Sequence, residues 1–187
     1  MSVSLWTAMV PEAPLEDTDN GRRAAGEGWF VLNARDACWY DRGERGAVCV
    51  FEAGQEWPQV GVNLFVLQPG NPMSMYHWEA DQEDFLVLHG EAVLVAEGEE
   101  QRLRQWDFVH CPPGMSHVIV GAGDGPCVVV AVGAREHQDG EGWGGYPLDA
   151  TAARHNASSD EETTDPTVAY ARFPARVETR YREGWLP

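Results

Sequence analysis

The sequence predicts a mainly β protein, a sandwich or barrel of short strands, and two observations carry that prediction. Short apolar runs recur about ten residues apart, separated by Gly, Pro, Asn and Asp, from residue 29 to residue 133. The composition agrees: 43% hydrophobic residues with 20 Gly and 12 Pro suit a turn-rich globular chain better than a disordered or helical one. A third feature gives this fold a centre, because the stretch from residue 77 to residue 117 begins and ends on His and carries several carboxylates among its strands.

At 187 residues the chain is long enough for one well-buried domain with arms to spare. Residues 1–27 show no sustained strand or helix period and read as an N-terminal arm pinned by Trp6. Residues 29–34 read as a strand, and residues 47–52 as a second, joined through the turn-like stretch 41–46. A third covers residues 60–67, where Gly61 points to a bulge or a close backbone approach. After the Pro69-Gly70-Asn71-Pro72 turn, strands are expected over 73–78, 83–88 and 91–96. Residues 101–104 then pair back on 91–96 across a Gly-containing turn. Residues 106–111, 116–120 and 127–132 complete the series, and the Gly-rich 121–126 segment is a turn, because Pro126 leads into a β-branched run and not into a helix. Beyond Gly133 two short helices are expected, one from Asp149 to Arg154 and one from Pro166 to Arg172 with Asp165 as its N-cap. The closing residues 173–187 mix Arg with Tyr181 and Trp185, a segment that lies across the barrel or a neighbouring subunit and anchors by aromatics. The resulting division is an arm over 1–27, a barrel over 28–135 and a C-terminal extension with short helices over 136–187.

Charge narrows the function. The formal net charge is −17 and all 13 basic residues are Arg, so no basic stripe is available to neutralise phosphates, and no nucleic-acid partner is expected. No run of roughly 18 apolar residues and no basic, apolar leader occur, so a cytoplasmic protein without a membrane partner is expected. The four Cys, at 38, 49, 111 and 127, form no CxxC and read as buried free thiols. The Asn156-Ala157-Ser158 triplet matches a glycosylation acceptor by chance.

Within the central stretch, alternate strand residues share a face, so His77 and Glu79 point one way while Tyr76 and Trp78 point the other. Glu83 opens the next strand with Phe85 and Val87 on its face, and His117 opens another with Ile119. Any one of these polar residues alone reads as an ordinary core or turn residue. Together they point to a metal site, because carboxylates that face a barrel core are costly unless paired or metal-bound. Phe85, Val87 and Ile119 are the expected walls of a substrate pocket. His89 and His110 sit against turns or strand ends, and His137 and His155 lie in the tail as solvated residues.

These residues also carry a resemblance. Gly70 is followed by six residues, His77, Trp78, Glu79, three residues, Glu83, six residues and Gly90. Trp106 is then followed by five residues, Pro112-Pro113-Gly114, Met115-Ser116, His117, three residues and Gly121. The pattern resembles the two motifs of the cupins, which implies a double-stranded β-helix, or jelly-roll barrel. The departures are Glu79 in place of the motif's second His, Trp106 in place of a Gly and Gly121 in place of an Asn. The resemblance implies one divalent metal ion, Zn, Fe, Mn or Ni, held by His77, Glu79, Glu83 and His117. If Glu79 does not reach the ion, a three-ligand site with open positions remains, and Glu79 becomes a candidate general base. The expected function is a metal-dependent enzyme of dioxygenase, decarboxylase or isomerase type acting on a small polar organic molecule. The rival is a non-catalytic cupin that binds, stores or senses a small ligand, with the metal structural or absent. A homodimer is expected, as cupins commonly form one.

Overall fold

Strand formation follows the turn chemistry closely in the middle of the chain and less closely at its start. The computed structural model describes residues 9–52, 57–138, 140 and 142–187. Among these the strands are β1 (Leu15–Thr18), β2 (Gly21–Ala24), β3 (Cys38–Asp41), β4 (Ala47–Val50), β5 (Val60–Leu67), β6 (Trp78–Glu79) and β7 (Glu83–His89). They continue with β8 (Glu91–Ala96), β9 (Glu99–Arg104), β10 (Phe108–Cys111), β11 (His117–Ala122), β12 (Cys127–Ala134), β13 (Gly144–Gly145) and β14 (Val177–Arg180). The helices are α1 (Ala150–Arg154) and α2 (Pro166–Ala169), each opened by an Asp that accepts a backbone N–H: Asp149 from Ala152 and Asp165 from Thr167. None of the described helices is long and apolar enough to cross a membrane.

The strands form a seven-stranded antiparallel sheet in the order β10-β7-β12-β5-β4-β3-β14 and a three-stranded one in the order β11-β8-β9. The main core lies between them. Leu67, Phe85, Val87, Val129 and Ala131 from the large sheet pack with Ala92, Leu94, Leu103 and Ile119 from the small one, as period-2 alternation requires. Both outer faces are covered as well. Val95, Val118 and Val120 meet Tyr76, Ala152 of α1 and Ala157, and Trp39, Cys49, Leu64 and Val66 are roofed by Tyr181, Trp185 and Leu186 of the C-terminal segment. The expected aromatic anchor thus lies on this chain's own barrel, with the rings of Tyr181 and Trp185 at 6.2 and 5.1 Å from Trp39. All four Cys are unpaired and buried.

Three expectations need correction. Residues 29–34 are not a strand; their burial alternates, but Trp29 and Val31 are exposed, and the pairing is limited to one parallel bridge of Trp29 with Glu12. Asn33 instead closes a turn, accepting from the Arg35 N–H through its side chain, and the strand that pairs with β4 is β3, seated by the buried Trp39. Residues 73–77 form one isolated bridge, His77 with His117, so the predicted strand over 73–78 contracts to β6. The arm over 1–27 is not featureless, since β1 and β2 pair as a hairpin through the Asp19-Asn20 turn; the pin expected of Trp6 lies outside the described residues. At Gly61 there is no bulge, as β5 and β12 pair in register through Gly61 and Gly133. The close approach there is made by Arg135, whose Nη2 would stand 2.5 Å from a Cβ at Gly61.

Candidate metal centre and its cavity

The centre is built on one backbone bridge. His77 and His117 face each other in antiparallel register, each donating its N–H to the other's carbonyl at 3.1 and 2.8 Å, so both side chains leave on the same side. Their rings lie 4.9 Å apart. Each Nδ1 is 2.8 and 3.1 Å from the carbonyl two residues upstream, Met75 for His77 and Met115 for His117. An Nδ1–H donated there leaves Nε2 of both rings to turn inward.

Glu83, the first residue of β7, meets them. Its Oε2 is 3.4 Å from His77 Nε2 and 3.2 Å from His117 Nε2, and ligand atoms of His77, Glu83 and His117 all lie within 4.8 Å of one another. Glu83 Oε2 and His117 Nε2 are shielded from solvent and make no hydrogen bond, despite their ion-pair separation. Two buried polar atoms aimed at each other without hydrogen-bond geometry fit a group held between them. Glu79 differs: its Oε1 is 3.4 Å from His77 Nε2, but it stands outside the mutual cluster of three and is more exposed than Glu83.

Electrostatics follow from this packing. Burial alone would lower the His77 pKa, but the close carboxylates of Glu79 and Glu83 outweigh it and lift it to about 10. For His117 burial again opposes, and the nearby Cys111 and Glu83 bring it to about 9. Burial would raise the Glu83 pKa, yet His117 and His77 hold it well below the carboxylate range. With no metal bound, the cluster is therefore a carboxylate sandwiched by protonated imidazoles.

The centre forms one side of a cavity of about 520 Å³ lined by His77, Glu79, Glu83 and Phe85, with Arg42, Phe65, Trp143, Tyr146 and Tyr170 among the other walls. Of the three expected wall residues only Phe85 lines it. Val87 and Ile119 are fully buried in the core, because they share the inward face but lie one alternation deeper. Sequence reading missed Arg42, Tyr146 and Tyr170, which come from distant segments with no motif of their own. The ring of Tyr146 lies 6.0 Å from His77, and burial, then the neighbouring Tyr170, raises the pKa of its hydroxyl. His137 and His155 are not simply solvated, since they pair with Asp81 at 2.7 Å and Glu100 at 2.9 Å.

A family model described as the cupin domain matches residues 63–133, which run from within β5 to near the end of β12 and include both motifs. Residues 63–133 are thus a cupin domain. No curated protein matches this cupin. Among solved structures it is similar to a polyketide cyclase, RemF, from Streptomyces resistomycificus, with 16% identity, 58% of this chain and 80% of that chain covered, and a TM-score of 0.50. At that identity the likeness concerns the fold alone. A sugar phosphate isomerase of the cupin superfamily from Silicibacter pomeroyi is 28% identical over 55% of this chain and 62% of that one, with a TM-score of 0.43. A structure from Acidithiobacillus ferrooxidans is 24% identical over 48% of this chain and 60% of that one, also at 0.43. This cupin thus spans less than two thirds of the length of the latter two proteins.

Proposed function

We propose that this cupin holds one divalent metal ion through His77, Glu83 and His117 and acts as a metal-dependent enzyme on a small polar organic molecule. The observation that carries the reading is the buried, unpaired Glu83 Oε2 and His117 Nε2 within a His-Glu-His cluster beside a cavity. Two imidazoles and a carboxylate suit Zn, Fe, Mn or Ni. When bound, such an ion supplies Lewis acidity toward a substrate oxygen or a site for dioxygen. The chain's own residues would do the rest. His77 and His117 are held in one tautomer by carbonyl acceptors, Phe65 and Phe85 keep the floor apolar, and Tyr146 keeps its proton beside the reacting region. Glu79 touches the edge of the cluster without joining it, which favours a general base over a fourth ligand.

The unpaired buried thiols fit a reducing cytoplasm, and the net charge of −17 argues against nucleic acid. The homodimer reading draws support from β10, an open sheet edge that begins at the exposed Phe108 and follows the exposed Trp106.

Metal analysis of the purified protein tests the central reading. Stoichiometric metal in the wild type, lost in both His77→Ala and His117→Ala, is the expected result. A wild type that is metal-free after growth and reconstitution, yet folded, overturns it and leaves the non-catalytic binder.

A further inference from the structure

Arg42 is a buried cation with no anionic partner among the described residues. It stands just after β3, 7% exposed, and lines the cavity. Its Nη1 donates to the Met73 carbonyl at 2.8 Å and its Nη2 to the Arg45 carbonyl at 2.5 Å. Nε is shielded from solvent and has no hydrogen-bond partner. The ring of Phe65 lies 4.8 Å from the guanidinium carbon. Among the described residues no carboxylate pairs with Arg42 or with its neighbour Arg45, although the other cavity arginine, Arg135, is paired with Glu52. Burial first, and then the charge of Arg45, pull the Arg42 pKa below the usual guanidinium value, which describes a site short of negative charge. Neutral donors could hold two backbone carbonyls; a buried full charge is costly for that task alone.

We propose that Arg42 binds a carboxylate of the substrate, so that the molecule this cavity takes is a small carboxylic acid. Met73, whose carbonyl anchors Arg42, is four residues before His77, so the cation and the metal cluster belong to walls of one cavity. The inference rests on the metal reading only for the other end of the molecule, where a hydroxyl or carbonyl oxygen would face His77, Glu83 and His117. A carboxylate is favoured over phosphate by charge. The cavity already holds Glu79, Asp81 and Glu83, and Arg42 is the one cavity arginine with no carboxylate partner among the described residues, which matches a single negative charge better than a double one.

The test is calorimetric titration of the full chain, metal-loaded and metal-stripped, with glycolate and lactate, with their neutral amides, and with inorganic phosphate. Wild type, Arg42→Gln and Arg42→Lys are compared after circular dichroism has verified folding. The expected result is that the acids bind wild type at least about tenfold more tightly than the amides, the scale of one charge-assisted hydrogen bond. That preference disappears in Arg42→Gln, while Arg42→Lys retains part of it and the metal content of both variants is unchanged. Equal binding of acid and amide to wild type, absence of acid binding, tighter binding of phosphate, or an acid preference that survives in folded Arg42→Gln each overturns the proposal. If Arg42→Gln does not fold, the wild-type comparison and Arg42→Lys decide. Failure of the metal reading leaves a different trace: no metal is bound, yet the acid preference persists in the stripped protein.

Discussion

Glu79 and Glu83 lie four residues apart and both touch His77, but only Glu83 also reaches His117. That difference separates their expected roles. Glu83→Gln removes the central charge and should abolish stoichiometric metal binding. Glu79→Gln should keep the metal and lower turnover by about 10²- to 10⁴-fold, the usual range for a general base, once a substrate is in hand; loss of metal in Glu79→Gln would make it a ligand instead. The titration behaviour adds a second test. In the metal-free protein the raised pKa of His77 contributes stability that is complete below about 6.5 and is lost as pH rises toward about 10. His117 behaves likewise toward about 9. The depressed Glu83 contributes stability above its ordinary value of 4.5, and this is lost only in acid. Metal must displace the imidazole protons. The rise in Tm on adding Zn or Mn should therefore grow as pH increases from about 6 to about 9, with affinity climbing about tenfold or more per pH unit. A metal-induced rise that shrinks over that range would contradict proton displacement at these imidazoles.

At the scale of elements, the turns carried most of the information. The hairpin of β8 and β9, strands β5, β7, β11 and β12, and both capped helices follow their Gly, Pro and Asp signals. The misreadings fall where an apolar run finds only a single bridge, as at residues 29–34, or where the partner came from far along the chain, as for β3 with β14. Trp106 is a turn residue whose backbone is held at φ 76, the left-handed region, in the place where the cupin motif carries Gly. It is 66% exposed, so little packing is lost on its removal. Trp106→Gly should therefore leave stability unchanged or raise it by up to about 1 kcal/mol, relief of φ strain being set against the added freedom of the unfolded chain. Chemical denaturation measures this, and a loss above about 2 kcal/mol would show that the indole contributes contacts, such as a subunit interface.

For the whole molecule, the C-terminal segment acts as a roof. β14 extends the large sheet and Tyr181 and Trp185 close over Trp39, which is fully buried. Trp185→Ala should cost about 2 kcal/mol, less than the roughly 3–5 typical of a fully buried aromatic because the indole is only partly buried, with Tm falling by several degrees. Because the roof sits on its own barrel, removing residues 181–187 should weaken folding without dissociating the dimer proposed at the β10 edge. Light scattering of that truncation and of Phe108→Ser separates the two surfaces: only the second should yield monomer.

By itself the sequence determined the β class, most of the turn positions, the acidic charge balance and the presence of His77, Glu83 and His117 in two motifs. Those features are local, because turn residues and strand period act within a few positions along the chain. Tertiary structure alone decided that Glu79 stands aside, that Val87 and Ile119 pack in the core, and that Arg42 joins the cavity from a turn 35 residues before His77. The physical reason is depth and distance: strand alternation assigns a face, but only the packing of one sheet on another assigns a layer within that face or brings a remote cation to it.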